Sequence, residues 1–291
     1  MAAIIGVHGI MNQQLGRHQL ITTTWGPALT DGLERAAGHQ VPPVRDLDIA
    51  FYGDLFLADQ AKAGSKGQSG GPAEFTEDDA DALAPFVSEV AGASAPGQPS
   101  AEGPPGKGLP SAPRSVQWLL RALDQRFGSR NASLLFLGEL KQVRRYLVDP
   151  DLKAAVDCRA EQVIARDGRV VIGHSLGSVV AFEFVRQHPG HQVDLLLTLG
   201  SPLSLHTVRA LMPAPGYGAE RMPPSVTRWV NVRDPRDPVA CAGALTGCWP
   251  GIADHTVDNQ GDPHSVTRYL GKWRAGAAVL AALPHLADTV P

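Results

Sequence analysis

The chain has 291 residues, which is enough to bury a sizeable core in one large α/β domain or in two small ones. Its 26 lysines and arginines nearly balance its 29 aspartates and glutamates, and the net charge of −3 argues against binding to nucleic acid or to a strongly anionic membrane surface. Since no run approaches 18 apolar residues, we expect no transmembrane helix.

The amino-terminal segment and the cysteines favour a reducing compartment. The chain begins without a basic segment and with only a short apolar stretch, so we expect no signal peptide and a cytoplasmic location. The three cysteines, Cys158, Cys241 and Cys248, show no metal-ligand spacing, which favours free thiols over a disulfide framework or a zinc site. A bridge between Cys241 and Cys248 stays an alternative. We expect no metal and no cofactor.

In chain order, the first elements predict a strand-helix-strand unit. Residues 2–7 form an apolar, β-branched segment typical of a buried strand. Residues 24–37 have the apolar spacing of a helix, and residues 46–52 alternate polar and apolar side chains as a second strand does. The helix is then the crossover of a right-handed unit with two parallel strands.

The middle of the chain has a different character, because residues 54–166 contain no convincing sheet strand. Two stretches, residues 64–72 and 92–113, are dense in glycine, proline and serine and are predicted as mobile linkers. Helical patterns cover residues 75–90, 115–127, 131–147 and 152–166, the last of which is expected to pack on the sheet. We interpret the chain as a single domain, residues 1–291, with a helical cap inserted at residues 54–150.

The second half again alternates strands and helices. A β-branched run at 169–172 is followed by helical spacing from Leu176, and further strands are predicted at 193–199 and 226–232. A last helix is predicted to run to Tyr269-Leu270. The order predicts an α/β fold with a doubly wound, mostly parallel sheet, whose functional loops lie at the carboxyl ends of the strands.

One pattern between a predicted strand and a predicted helix points to chemistry. The segment Gly173-His174-Ser175-Leu176-Gly177 matches GxSxG, in which the glycines allow a turn sharp enough to present the serine alone. Chance alone gives this pattern in such a chain with a probability of roughly 0.2, but the strand before it and the helix after it are the context that it requires. We predict Ser175 as a nucleophile, and His174 as a residue that positions the turn.

A serine nucleophile needs a histidine base and a carboxylate that orients the base. In this fold the expected chain order is serine, acid, histidine. We prefer Asp237 to Asp234 as the acid, because Asp237 projects from the loop after a strand; either could instead be a turn aspartate. We prefer His264, in a turn-rich loop, to His255 as the base; either could instead be a surface histidine.

Attack on a carbonyl also requires backbone N–H groups that stabilise the oxyanion. One is predicted to be that of Leu176, which opens the helix after the nucleophile. The second is predicted to be that of Ile10, in the loop after the first strand, where His8 and Gly9 let the backbone approach closely.

These residues resemble the α/β-hydrolase superfamily, and specifically its lipase-like and esterase-like branch. The resemblance rests on five segments: residues 7–10, 173–177, 198–203 and 237–239, and His264 ahead of Tyr269. It implies Ser175 as nucleophile, Asp237 as acid, His264 as base, and Ile10 and Leu176 as oxyanion donors. The long insertion departs from the family pattern.

The expected function is therefore that of a serine hydrolase. Its substrate is expected to be a small-molecule or lipid-like acyl compound, foremost a carboxylic ester, cleaved through an acyl-enzyme intermediate. The same residues would also serve a thioesterase, an amidase or peptidase, or an acyltransferase. An alternative from another class is a non-catalytic binding or signalling module on a hydrolase scaffold.

Overall fold

Six strands form one sheet at the centre of the computed structural model, which describes residues 3–10, 12, 15–56, 75–92, 112–212 and 221–288. Every described pair of neighbouring strands is parallel, and the order across the sheet is β2-β1-β3-β4-β5-β6. The strands are β1 (Ile4–Val7), β2 (Leu47–Ala50), β3 (Val170–His174), β4 (Val193–Leu199), β5 (Val226–Arg233) and β6 (Ala253–Thr256). The prediction of an α/β fold with a mostly parallel sheet is confirmed.

Helices connect the strands and cover both faces of the sheet. A short α1 (Arg17–Gln19) continues through a π-helical segment, Leu20–Trp25, into α2 (Gly26–Ala37). The other helices are α3 (Glu77–Ala91), α4 (Arg114–Phe127), α5 (Arg130–Val148), α6 (Pro150–Asp167), α7 (Leu176–Gln187), α8 (His206–Ala210), α9 (Val266–Leu270) and α10 (Trp273–Ala282). Among the residues described, no helix combines the length and the apolar character needed to cross a membrane.

The strands are apolar on both faces because each face is covered. Successive side chains of a strand point to opposite sides of the sheet. Ile4 and Val170 accordingly belong to a core that includes residues of α2 and α10, whereas Ile5 and Val171 belong to a second core that includes residues of α3 to α7. Such two-sided burial explains the near-continuous apolar runs of the strands.

Partly buried polar contacts connect α5, α6 and α7. The hydroxyl of Tyr146 on α5 donates to Asp157 on α6 at 2.6 Å. Lys153 of α6 then pairs with Asp157 at 2.7 Å and with Glu183 of α7 at 3.1 Å. These contacts connect the carboxyl-terminal part of α5 to α6, and α6 to the helix that follows Ser175. The predicted linkers at 64–72 and 92–113 lie outside the described residues, except for residues 92, 112 and 113.

The short helices α1 and α8 were not predicted from the sequence, nor were two further elements. The first is β6, a short edge strand whose residues are small or polar and lack alternation, and which pairs with β5 alone. The second is α10, which packs closely against α2: a Cβ on Gly276 would lie 1.9 Å from the carbonyl oxygen of Gly32. Both elements depend on contacts with distant parts of the chain.

Candidate active site

The site lies where the order of the strands reverses. The connection after β1 leads to β2 on one side of β1, whereas β3 lies on the other side and is followed by β4, further from β1. The loops after β1 and β3 therefore diverge and leave a crevice at the carboxyl edge of the sheet. His8 follows β1, Ser175 follows β3, and Asp234 and Asp237 follow β5. The topology therefore brings all three loops to one edge.

The backbone at Ser175 is strained, and its neighbours hold it in that form. Ser175 has φ 52° and ψ −125°, a left-handed conformation that costs about 1–3 kcal/mol for a residue other than glycine. A Cβ on Gly177 would lie 1.9 Å from the carbonyl oxygen of Val7, and one on Gly173 would lie 2.5 Å from the Cα of Ser178. The two glycines are therefore required for β1, β3 and α7 to approach as closely as they do.

Asp237 and His264 form a buried pair. The imidazole Nδ1 of His264 lies 2.9 Å and 2.8 Å from the two carboxylate oxygens of Asp237. The backbone N–H of Val239 donates to the same carboxylate at 2.9 Å, and the hydroxyl of Tyr269 donates to it at 2.7 Å. Because these donors fix the carboxylate, the imidazole that donates to it is fixed as well, with Nε2 left on the opposite side of the ring.

His174 holds the loop that carries His264. Its Nε2 lies 2.8 Å from the backbone carbonyl oxygen of His264, and the two rings lie 4.7 Å apart. Burial, with a smaller effect of His264, lowers the pKa of His174 well below its usual value. A neutral His174 with its proton on Nε2 donates to that carbonyl, so the residue before Ser175 positions the imidazole.

The loop after β1 presents a backbone N–H at the same edge. The carbonyl of Gly9 accepts from Nδ1 of His8 at 2.6 Å and from the amide of Asn12 at 3.0 Å. In a trans peptide the N–H points away from the carbonyl, so these bonds fix the direction of the N–H of Ile10. A Cβ on Gly9 would lie 2.9 Å from the Cβ of Ser175, so this loop lies directly against the serine.

His8 is held as a neutral donor by Tyr52, which follows β2. The backbone N–H of Tyr52 donates to Nε2 of His8 at 3.2 Å, which leaves the ring proton on Nδ1. The Tyr52 hydroxyl donates to the carbonyl oxygen of His8, and the two rings stack 4.3 Å apart. Burial lowers the pKa of His8 to about 4, so its role here is that of a structural donor.

The second predicted oxyanion donor lies at the start of a helix. Leu176 is the first residue of α7, and the first N–H groups of a helix have no partner within the helix. The N–H of Ser178, two residues further on, donates to the carbonyl of Ser175 at 2.9 Å. The N–H of Leu176 is therefore positioned next to the serine by the helix itself.

A residue that we did not predict contacts the serine. The hydroxyl of Ser175 donates to Oε2 of Glu139, a residue of α5 whose side chain is 3% exposed. The other oxygen, Oε1, lies 3.8 Å from Nε2 of His264, and this Nε2 is buried without a hydrogen-bond partner among the described residues. One carboxyl group thus lies between the hydroxyl of Ser175 and the imidazole of His264.

The carboxylates on either side of His264 control its protonation. Burial acts to lower the pKa of His264, but the charge and hydrogen bond of Asp237 and the charge of Glu139 outweigh burial and raise that pKa to about 9. Burial also raises the pKa of the Glu139 carboxyl, against the opposing effects of His264 and the Ser175 hydroxyl. At neutral pH the described arrangement therefore favours a protonated His264.

The two alternative residues lie in other surroundings. Asp234 accepts from the backbone N–H of Arg236 at 2.8 Å and from that of Asn259 at 2.5 Å, and it pairs with the Arg236 guanidinium at 3.2 Å. Burial would raise the pKa of Asp234, but these bonds outweigh burial and lower it. Asp234 thus has the contacts of a turn aspartate. His255 lies within β6, paired in register with Val232.

Sequence reasoning missed Glu139 and Tyr269. A signal for Glu139 was present, since it falls on the apolar side of α5 between Phe136 and Val143, where a charged residue is rarely buried without a partner. Tyr269 carries no such signal, because its contact with Asp237 joins residues 32 positions apart.

The described side chains offer no metal site that would compete with this one. Within the described ranges, no group of three or more histidine, cysteine, aspartate or glutamate side chains is placed to hold a metal ion. The three cysteines are free thiols, so the alternative bridge between Cys241 and Cys248 is not formed.

Comparisons of the chain with protein-family models, with curated protein sequences and with solved structures found no match.

Proposed function

We propose that the chain is a serine hydrolase with the α/β-hydrolase fold that cleaves carboxylic esters through an acyl-enzyme intermediate. The observation that carries the proposal is the pairing of His264 with Asp237 beside a serine on a strained strand-to-helix turn. A strained residue in this position, next to a histidine oriented by a buried carboxylate, is the arrangement that activates a serine nucleophile.

In the proposed acylation step, Ser175 Oγ attacks the carbonyl carbon of the ester while its proton passes to Nε2 of His264. Asp237 accepts from Nδ1 and stabilises the imidazolium that results. The N–H groups of Ile10 and Leu176 stabilise the oxyanion. The imidazolium then gives its proton to the alcohol oxygen as the carbon–oxygen bond breaks, which leaves an acyl group on Ser175.

In the proposed deacylation step, neutral His264 takes a proton from water, and the resulting hydroxide oxygen attacks the acyl carbon. The proton returns to Ser175 Oγ when the carboxylic acid leaves. For acylation, the hydroxyl of Ser175 has to turn from Glu139 to His264, because a hydroxyl has one proton to donate. The same residues would act on thioesters or amides, so the ester specificity is part of the proposal.

We also propose that residues 54–150 act as a cap over this site. The supporting observation is that α5 of this segment contributes Glu139 to the contacts of Ser175, which is itself fully buried. A substrate therefore reaches Ser175 only after α5 or its side chains move, as the lids of many hydrolases do.

Labelling with a fluorophosphonate tests the proposed function directly. The reagent forms a covalent bond with activated serines, and we expect one adduct per chain by intact mass, located by peptide mapping on the segment that contains Ser175. The Ser175→Ala variant provides the control and should remain unlabelled. A folded chain that neither takes up the probe nor cleaves activated esters would instead support the non-catalytic binding module.

A further inference from the structure

Glu139 is a buried carboxylate that depends on the proposed catalytic residues for its stabilisation. Among the described residues, its hydrogen-bond donor is the hydroxyl of Ser175, and the cation that faces it is His264, 3.8 Å away. Burying a charged group is unfavourable unless hydrogen bonds and an opposite charge compensate. A change in either partner therefore changes the stability of the Glu139 carboxylate.

The other groups that face Glu139 do not compensate its charge. Asp237 adds a second negative charge to the site, and Tyr52 donates its hydroxyl proton to the carbonyl of His8. Lys141 lies two residues further along α5, but it pairs with Asp79 at 2.8 Å.

The site is therefore negatively charged whenever His264 is neutral. The pKa values of the two other histidines of the site, His8 and His174, are lowered by burial, so neither supplies a positive charge near neutral pH. With a neutral His264, the described residues around Ser175 include two carboxylates and no cation. Such a site attracts a positively charged group.

The proposed reaction removes both partners of Glu139. His264 has to be neutral to act as a base, and in the acyl-enzyme the oxygen of Ser175 is an ester oxygen without a proton. Glu139 would then be buried without a donor, which is unfavourable for a charged group. A substrate that brings its own positively charged donor to this position removes that cost.

We propose that Glu139 determines substrate specificity by binding a protonated amine on the acyl part of the substrate, close to the scissile carbonyl. The inference rests on the proposed function and names its substrate class. An ammonium group offers three donors and a positive charge to the carboxylate. The carboxylate has to turn away from Ser175 to admit the carbonyl, and the ammonium gives it a partner in the new position.

Matched esters test the inference. Benzyl propanoate and its 2-amino and 3-amino derivatives share a leaving group and differ by the amine alone. We expect the unchanged chain to prefer at least one amino ester by kcat/KM. In Glu139→Gln, which removes the charge and keeps the size, that preference should fall by at least about tenfold, as expected for a buried ion pair. The ratio of kcat/KM for an amino ester to kcat/KM for benzyl propanoate is compared between the unchanged chain and Glu139→Gln. This comparison cancels the intrinsic reactivity of each ester.

A control variant separates this effect from a general loss of charge. Glu161 lies on α6 with its side chain 54% exposed, so Glu161→Gln should leave the preference unchanged. If Glu139→Gln raises or lowers the turnover of all three esters equally, Glu139 merely blocks or supports the site, and the inference is wrong.

A second measurement needs no variant. Propylammonium should slow the fluorophosphonate labelling of Ser175 in the unchanged chain, whereas propanol at the same concentration should not. Equal effects of the two compounds would contradict the inference. If Ser175 is labelled but neither the ester kinetics nor the inhibition of labelling shows a preference for the amine, the inference alone is wrong. If a folded chain shows no labelling and no ester cleavage, the proposed function is wrong.

Discussion

The carboxyl edge of the sheet and the helix α5 reach the same site in different ways. At the sheet edge, His8 and Ser175 directly follow strands, and Asp237 follows the end of β5 by a few residues. Glu139, by contrast, comes from the middle of a 19-residue helix and meets Ser175 across 36 positions of sequence. In the proposed reaction, the sheet edge supplies the catalytic residues, and Glu139 of α5 selects the substrate.

The two carboxylates of the site, Asp237 and Glu139, differ in how permanent their hydrogen-bond partners are. Asp237 has its oxygens occupied by fixed donors, including Val239, Tyr269 and His264, and these remain in place throughout the proposed reaction. Glu139 relies on Ser175 and His264, both of which change during it. A carboxylate with permanent partners suits an orienting role, whereas one with temporary partners suits recognition of a substrate.

The largest expected effect distinguishes two aspartates of the sheet edge. Asp237→Asn should lower kcat/KM for an activated ester by about 10³- to 10⁴-fold, because the base loses its oriented, charged partner. Asp234→Asn should change kcat/KM by less than about tenfold, yet lower the free energy of unfolding by about 1–3 kcal/mol through lost bonds to Arg236 and Asn259. Ester hydrolysis and urea denaturation measure the two effects. If Asp234→Asn causes the larger loss of kcat/KM, Asp234 and not Asp237 is the acid that orients His264.

A smaller effect is expected in the loop after β1. A Cβ on Gly9 would lie 2.9 Å from that of Ser175, so Gly9→Ala has to displace the loop that presents Ile10. Loss of one oxyanion donor typically costs about 10²- to 10³-fold in kcat, and we expect a decrease of about 10²-fold in steady-state kinetics. Gly190→Ala is the matched control, because a Cβ there meets nothing within 4 Å. Equal activity of both variants would rule out this loop as the oxyanion site.

The smallest expected effect is a shift in the pH dependence of kcat/KM, and it involves both His264 at the sheet edge and Glu139 on α5. Because His264 has a pKa of about 9 and must be neutral to act, kcat/KM should rise with pH up to about 9. Removing the negative charge in Glu139→Gln should move this rise to lower pH, by about one unit. A pH–rate profile of both chains with a neutral ester measures the shift, and an unchanged profile would show that Glu139 does not affect the base.

The raised pKa of His264 also makes the stability of the folded state depend on pH. The folded pKa of His264 lies above its ordinary value of 6.5, so the folded state binds this proton more tightly than the unfolded state does. The resulting stabilisation is fully present below about pH 6.5 and is lost as the pH rises through about 9. Glu139→Gln should reduce this loss, which denaturation at both pH values would show.

The parts that the sequence predicted well are those set by local patterns. The run Val193–Leu199 is apolar enough to indicate a buried strand without any partner in view, and the strand-to-helix change around Ser175 indicates the turn. Asp237 follows the strand predicted at 226–232, and His264 lies in a turn-rich loop, so both could be proposed as candidates.

The parts that it did not predict depend on distant contacts. The strand β6 exists because it pairs with β5, and its own residues do not indicate it. Choosing between Asp237 and Asp234 needed a preference, because both follow the same strand and only the fold shows which one meets His264. The approach of Glu139 to Ser175 depends on how α5 packs, which no local pattern encodes.

Trapping the acyl-enzyme would show whether Ser175 is the nucleophile. The purified chain would be mixed with an activated ester, quenched in acid after one turnover, and read by intact mass and peptide mapping. We expect a transient acyl group on Ser175 that is absent in Ser175→Ala and strongly reduced in His264→Ala, because acylation needs His264 as the base. If Ser175→Ala still hydrolyses the ester, or if the acyl group is found on another residue, Ser175 is not the nucleophile.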